Sequence, residues 1–163
     1  MSLKDNFTQD EWARVLGAPM IAGIAVTAAE PGGLWGAVKE SVAVAAAIGK
    51  AKSEGGQNAL IDAVVESYGT SEGRDQARGV LKHEAAGRKP PEIVEAAIAE
   101  LTEVSQLVAS KTPAEAAGFK AWLGEIASKV AEAGTEGGFL GFGGEKVSAA
   151  EKATLDKIAS VLA

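Results

Sequence analysis

The chain has no cysteine among its 163 residues. Disulfides, thiolate metal sites and a cysteine nucleophile are thereby excluded. A single histidine, His83, rules out any site built on two or more imidazoles. Positive charge is scarce: 16 lysines and arginines face 22 aspartates and glutamates, a net charge of −6. That balance argues against broad binding to nucleic acid or anionic membrane, since neither phosphate neutralisation nor polybasic attraction is on offer. Aromatic residues make up only 5% of the chain. The longest uncharged run, Val15 to Ala29, contains Gly17, Pro19 and Gly23. It falls short of the roughly 20 apolar residues a spanning helix needs and reads as a buried core helix. The polar opening Met1-Ser2-Leu3-Lys4-Asp5-Asn6 has no basic region leading into an apolar run, so no secretory signal is expected. These absences together predict a cytoplasmic protein with no transmembrane segment.

What is abundant is small. Hydrophobic residues reach 47%, and 20 residues are glycine. The length suits one domain with a real core. Helical periodicity runs almost throughout. Leu60, Ile61, Val64, Val65 and Tyr68 form one helical face, as do Ile93, Ala97, Leu101, Val104 and Val108. Phe119, Trp122, Leu123, Ile126, Ala127 and Val130 make another stripe, and Leu155, Ile158 and Leu162 a last one. No window alternates with period two, so strands are not expected. Thr8 to Glu11, Thr112 to Glu115 and Ser148 to Glu151 read as capping boxes. Pro113 sits where a missing N–H costs nothing, and Pro90-Pro91 opens another helix.

These signals predict helices at about 8–17, 19–30, 34–52, 57–69, 72–86, 91–110, 113–134 and 148–162. The expected fold is all-α, a single bundle of seven to eight helices over residues 1–163. Gly23, Gly49, Gly79, Gly118 and Gly124 fall inside helices, where each costs about 1 kcal/mol relative to alanine. Close helix crossings are the expected reason for most of them.

One unit recurs. Val26-Thr27-Ala28-Ala29-Glu30-Pro31-Gly32-Gly33-Leu34-Trp35-Gly36 and Val130-Ala131-Glu132-Ala133-Gly134-Thr135-Glu136-Gly137-Gly138-Phe139-Leu140-Gly141 share a helix ending in small residues. Each continues with Glu, Gly-Gly, two large apolar residues and Gly. Each follows an apolar helix carrying a tryptophan, Trp12 or Trp122. The chain thus reads as repeat-like units over about 8–52 and 112–163, separated by the helices of 57–110. Three roles fit such a loop. Gly-Gly ends a helix sharply, letting Leu34-Trp35 or Phe139-Leu140 fold back as a plug. Glu30 and Glu136 supply carboxylates of the kind that calcium or magnesium takes, with glycine carbonyls able to approach. The apolar residues Phe139, Leu140 and Phe142 form a tip suited to docking on a protein or a membrane surface.

From Trp122 to Ala163 the sequence resembles the TerB-like (tellurite-resistance) helical family. The similar stretches are Trp122-Leu123-Gly124-Glu125-Ile126-Ala127-Ser128-Lys129-Val130-Ala131 and Glu145-Lys146-Val147-Ser148-Ala149-Ala150-Glu151-Lys152-Ala153-Thr154-Leu155-Asp156-Lys157-Ile158-Ala159. The first unit is similar in Ala28-Ala29-Glu30, with Glu40 as a later acid. The resemblance implies an all-helical, internally repeated protein linked to metal-ion sensing or stress responses near the membrane. It also implies that acids bind a divalent cation: Glu30 and Glu136 match the family's turn aspartate, and Glu151 the acid after the helix cap. The chain departs from the family in carrying Glu for Asp at both turns, Pro31 in the first and a glycine-rich insertion in the second.

Other chemistry finds little footing. The residue three before His83 is Val80, so the Glu-x-x-His step of a di-iron bundle is missing. His83 reads as a surface residue near a helix C-terminus. The basic residues around it, Arg78, Lys82, Arg88 and Lys89, are at best a small anion site. No phosphate-loop motif occurs, and Gly141-Phe142-Gly143 lacks a strand context. Glu95, Glu100 and Glu103 read as a solvated helix face. No nucleophile–base pair can be named, so no enzyme and no cofactor beyond a divalent cation are expected. The leading expectation is a non-catalytic binding or stress-associated module with metal ligands Glu30, Glu136 and Glu151. The alternative is a module docking on a protein or membrane through loop 137–144.

Overall fold

A computed structural model describes residues 2–30, 34–135 and 147–163. After a 3-10 turn, Leu3–Asn6, the described residues form seven helices: α1 Gln9–Ala29, α2 Leu34–Glu54, α3 Ala59–Tyr68, α4 Ser71–Ala85, α5 Pro90–Lys111, α6 Pro113–Thr135 and α7 Ala149–Leu162. No strand occurs among the described residues. The fold is the all-α bundle that the periodicity predicts.

Helix α1 is the axle of the bundle. It packs against α2, α4, α5, α6 and α7 and also touches α3. Val15, Leu16, Ile21 and Val26 from α1 meet Leu60 and Val64 of α3, Leu101, Val104 and Val108 of α5, Phe119, Leu123 and Ile126 of α6, and Ile158 of α7 in one core. Among the described residues, α1 is the one helix long and apolar enough to cross a membrane, yet 67% of its apolar window lies inside the protein. Its uncharged run from Val15 to Ala29 reflects packing on nearly every side.

The sequence divides this helix at Pro19, but the structure does not. Proline removes one intrahelical bond, here the one to the Val15 carbonyl, and crowds the preceding turn. The turn is buried from Val15 through Pro19, so packing outweighs that cost. In the same turn the Tyr68 hydroxyl donates to the Leu16 carbonyl at 2.6 Å, pinning α3 to α1. Burial raises the Tyr68 phenol well above its usual pKa. Its neutral form therefore stabilises the fold fully below about pH 10, the ordinary phenol value. That contribution is lost as pH rises further, because the unfolded chain ionises first. Tyr68 is the sole tyrosine. Tyrosinate absorbance should thus appear only at pH values where circular dichroism also reports unfolding; a titration near pH 10 in folded protein contradicts this.

Caps follow the sequence at two of three places. The Thr8 hydroxyl accepts from Glu11 N at 3.2 Å while the Glu11 carboxylate accepts from Thr8 N at 2.7 Å. That backbone bond first, then Lys111, holds the Glu11 carboxyl below its usual pKa. Ser148 and Glu151 repeat the arrangement ahead of α7. At Thr112 the outcome differs. Its hydroxyl donates back to the Val108 carbonyl at 3.0 Å, and the Glu115 carboxylate accepts from Ala59 N at 2.9 Å. Asn58, which caps α3, also donates to the Glu115 carbonyl at 2.9 Å. Glu115 thus serves the start of α3, a helix distant in sequence.

The helical glycines also depart from expectation. A Cβ on Gly49, Gly79 or Gly124 would meet nothing within 4 Å. Gly23 is buried, and a Cβ on Gly118 would clash, 2.5 Å from Asn58 Nδ2. Close crossings therefore do not explain Gly49, Gly79 or Gly124. Replacing each of these three by alanine should raise stability by about 1 kcal/mol, the helix-propensity difference. Thermal melting of the single variants checks this, and a lower melting temperature in any of them contradicts it.

Candidate functional site

The end of α1 meets the starts of α5 and α7. Helix α1 stops at Ala29, and Glu30 closes it in extended backbone, its N–H donating to the Thr27 carbonyl at 3.2 Å. Helix α5 opens on Pro90-Pro91, where missing N–H groups do no harm. Helix α7 begins under its Ser148 cap. The three helix ends enclose a cleft of about 680 Å³. Ile24 and Ala28 of α1 and Ile93 and Val94 of α5 supply apolar wall, while Glu30, Glu95 and Lys157 bring charge. Two carboxylates against one ammonium leave the cleft acidic. The hydroxyls of Thr27 and Thr154, also in its wall, donate to the Gly23 and Ala150 carbonyls of their own helices. Their oxygens remain acceptors. An apolar cleft with a few polar groups suits binding of a small molecule or a segment of another chain.

The residues singled out in the sequence fall differently. Glu30 is half-buried and lies in this cleft. Glu151 is only 4% exposed, and its carboxylate accepts from Ser148 N at 2.7 Å, so it secures the start of α7. Glu136, Phe139, Leu140 and Phe142 lie outside the described residues, and so do Pro31, Gly32 and Gly33. Among the described residues, no group of three or more acids or histidines is placed to hold a metal ion. Sequence reasoning missed Pro90-Pro91, Glu95 and Lys157 as cleft residues. The prolines mark a helix start, and nothing local shows that this start faces the end of α1.

Glu100 is a further correction. Glu95 and Glu103 are exposed, as a solvated face requires, but Glu100 is 8% exposed. Its two carboxylate oxygens each accept from Arg14 of α1 at 2.8 Å, and Arg14 also reaches Glu103. Hydrogen bonding to Glu100, ahead of Glu103, raises the Arg14 pKa further above its already high value. This fork ties α1 to α5, with Glu100 five residues along α5 from Glu95 of the cleft. His83 is exposed on α4, as expected from the sequence.

A smaller cleft of about 290 Å³ lies between α2, α3 and α6 against Trp122. Lys50 and Glu125, paired at 3.3 Å, both line it. Both are about half exposed, so the pair adds little stability. The fold and the larger cleft define the chain as an all-α bundle around a buried central helix, with an acidic cleft at one end of that helix. No protein-family profile, curated protein or solved structure matches it.

Proposed function

We propose that the chain is a non-catalytic, cytoplasmic, stress-associated binding module that responds to a divalent cation through acids at its two Glu-Gly-Gly turns. One observation carries the reading: Glu30, the acid of the first turn, lies in the cleft that receives the start of α7, the helix following the second turn. Glu136 belongs to that second turn in sequence. Carboxylates and glycine carbonyls are the oxygen donors that hard cations prefer. Glu151 contributes by fixing the start of α7 through its cap, and the resemblance to the TerB-like family adds the link to stress. The apolar wall gives a cation-dependent partner something to bury.

Calorimetric titration with calcium, magnesium and manganese tests the proposal. Heat of binding at millimolar or lower cation is expected in the natural chain, and it should be lost in Glu30→Gln and in Glu136→Gln. No heat with any of the three ions at millimolar concentration overturns the cation reading. Equal heat in both variants places the ion elsewhere and overturns it as well.

A further inference from the structure

The cleft at the end of α1 carries charges of both signs, and their placement selects a ligand. Helix α1 reaches the cleft with its last turns, α5 and α7 with their first. Glu30 stands where α1 ends. Lys157 follows Ala150 by seven residues, a rise of about 10.5 Å along α7. On α1 the lining runs from Ile24 to Glu30, about 9 Å. Among the described residues, Glu30, Glu95 and Lys157 form no ion pair, with one another or with any other group. Between them the wall is apolar: Ile24, Ala28, Ile93 and Val94 are half-buried and keep part of their surface open.

Unpaired charges of opposite sign beside an uncovered apolar wall complement a ligand that is itself dipolar. A simple anion would meet two carboxylates, and a simple ammonium would leave Lys157 without a partner. The matching compound has a cation at one end, an anion at the other and apolar groups between. A short peptide has this form: an α-ammonium, side chains and an α-carboxylate. Extended chain advances about 3.3–3.6 Å per residue, so two or three residues reach about 7–10 Å. A free amino acid holds its two charges on one carbon and cannot stretch between the acids and the lysine. The cleft volume of about 680 Å³ falls within the range of about 300–1,000 Å³ typical of small-ligand sites.

We propose that the cleft binds a peptide of two or three apolar residues with free ends, its ammonium held by Glu30 and Glu95 and its carboxylate by Lys157. This rests on the reading of the cleft as the binding site, yet it requires no bound metal. A divalent cation on Glu30 would instead compete with the peptide ammonium, which gives the module a way to release its ligand in response to the ion.

Calorimetric titration of the full chain with leucyl-leucine tests it, once in EDTA and once in calcium. Saturable heat is expected in EDTA. N-acetyl-leucyl-leucine lacks the ammonium and leucyl-leucine amide the carboxylate, so each should bind at least about tenfold more weakly, a difference of about 1.4 kcal/mol. Free leucine should bind more weakly as well. Glu30→Gln with Glu95→Gln should weaken leucyl-leucine by a similar factor and leave the N-acetyl peptide unaffected. Lys157→Gln, at an exposed position, should do the same for leucyl-leucine and leave the amide unaffected. No heat with leucyl-leucine at millimolar concentration in EDTA overturns the proposal, and so does binding that appears only with calcium. Equal binding of the capped peptides, or of free leucine, overturns it too. The cation reading fails separately, when calcium, magnesium and manganese themselves give no heat.

Discussion

Replacing Arg14 by methionine should lower the unfolding free energy by about 2–3 kcal/mol. Removing one partner of a buried ion pair costs about 3–5 kcal/mol, because the remaining charge is stranded. Here the Glu100 side chain is 9% exposed and the Arg14 side chain 33%, so water screens part of the interaction and the lower figure applies. The geometry explains why so much depends on one guanidinium: its fork meets both oxygens of Glu100 at 2.8 Å and still reaches Glu103. Arg14→Lys keeps the charge and loses the fork, so an intermediate loss is expected. Arg14→Met with Glu100→Met should recover most of the stability, since both charges leave together and the methionines fill the space. Urea denaturation checks the series through the midpoint at constant slope. If Arg14→Met alone loses less than about 0.5 kcal/mol, the pair behaves as a surface salt bridge and the argument fails.

The second large effect concerns backbone. Gly73→Ala should cost about 3 kcal/mol or more, the upper end of overpacking penalties. A Cβ at Gly73 would lie 2.1 Å from the Ser67 carbonyl oxygen and 2.7 Å from its carbon. Neither atom can turn aside as a side chain does. Relief requires opening the elbow between α3 and α4, where Gly73 N also donates to the Thr70 hydroxyl at 3.0 Å. Gly17 gives the contrasting case. Its Cβ would lie 2.8 Å from Val80 Cβ and Cγ1. There the obstacle is mostly a side chain, so Val80→Ala should rescue Gly17→Ala in part, whereas no single side-chain truncation should rescue Gly73→Ala. Thermal melts of the single and double variants decide, and a Gly73→Ala protein as stable as the natural chain removes the steric account.

Helix positions are legible in the sequence because their causes are local. Stripes such as Leu60, Val64 and Tyr68, the caps at Thr8 and Ser148, and prolines at 90, 91 and 113 act within one or two turns of the residues they govern. Pro19 is the exception that shows the limit. Its local signal ends a helix, and the helix continues because burial on several sides outweighs one lost hydrogen bond. The site is less legible than the fold. Glu30 is visible as a recurring acid, but its cleft depends on Pro90, Ile93 and Lys157, which are remote in sequence.

By itself the sequence determined the helical class, the number of helices to within one and the places where most begin and end. Those properties follow from spacing and from hydrogen bonds between near neighbours. Tertiary structure alone decided which helix became the central one, which glutamate was buried against Arg14, and which glycines were sterically required. It also decided that the Trp12 indole N–H is buried without a hydrogen-bond partner among the described residues. Each of these depends on which side chains distant parts of the chain bring within a few ångströms, and periodicity carries no record of that pairing.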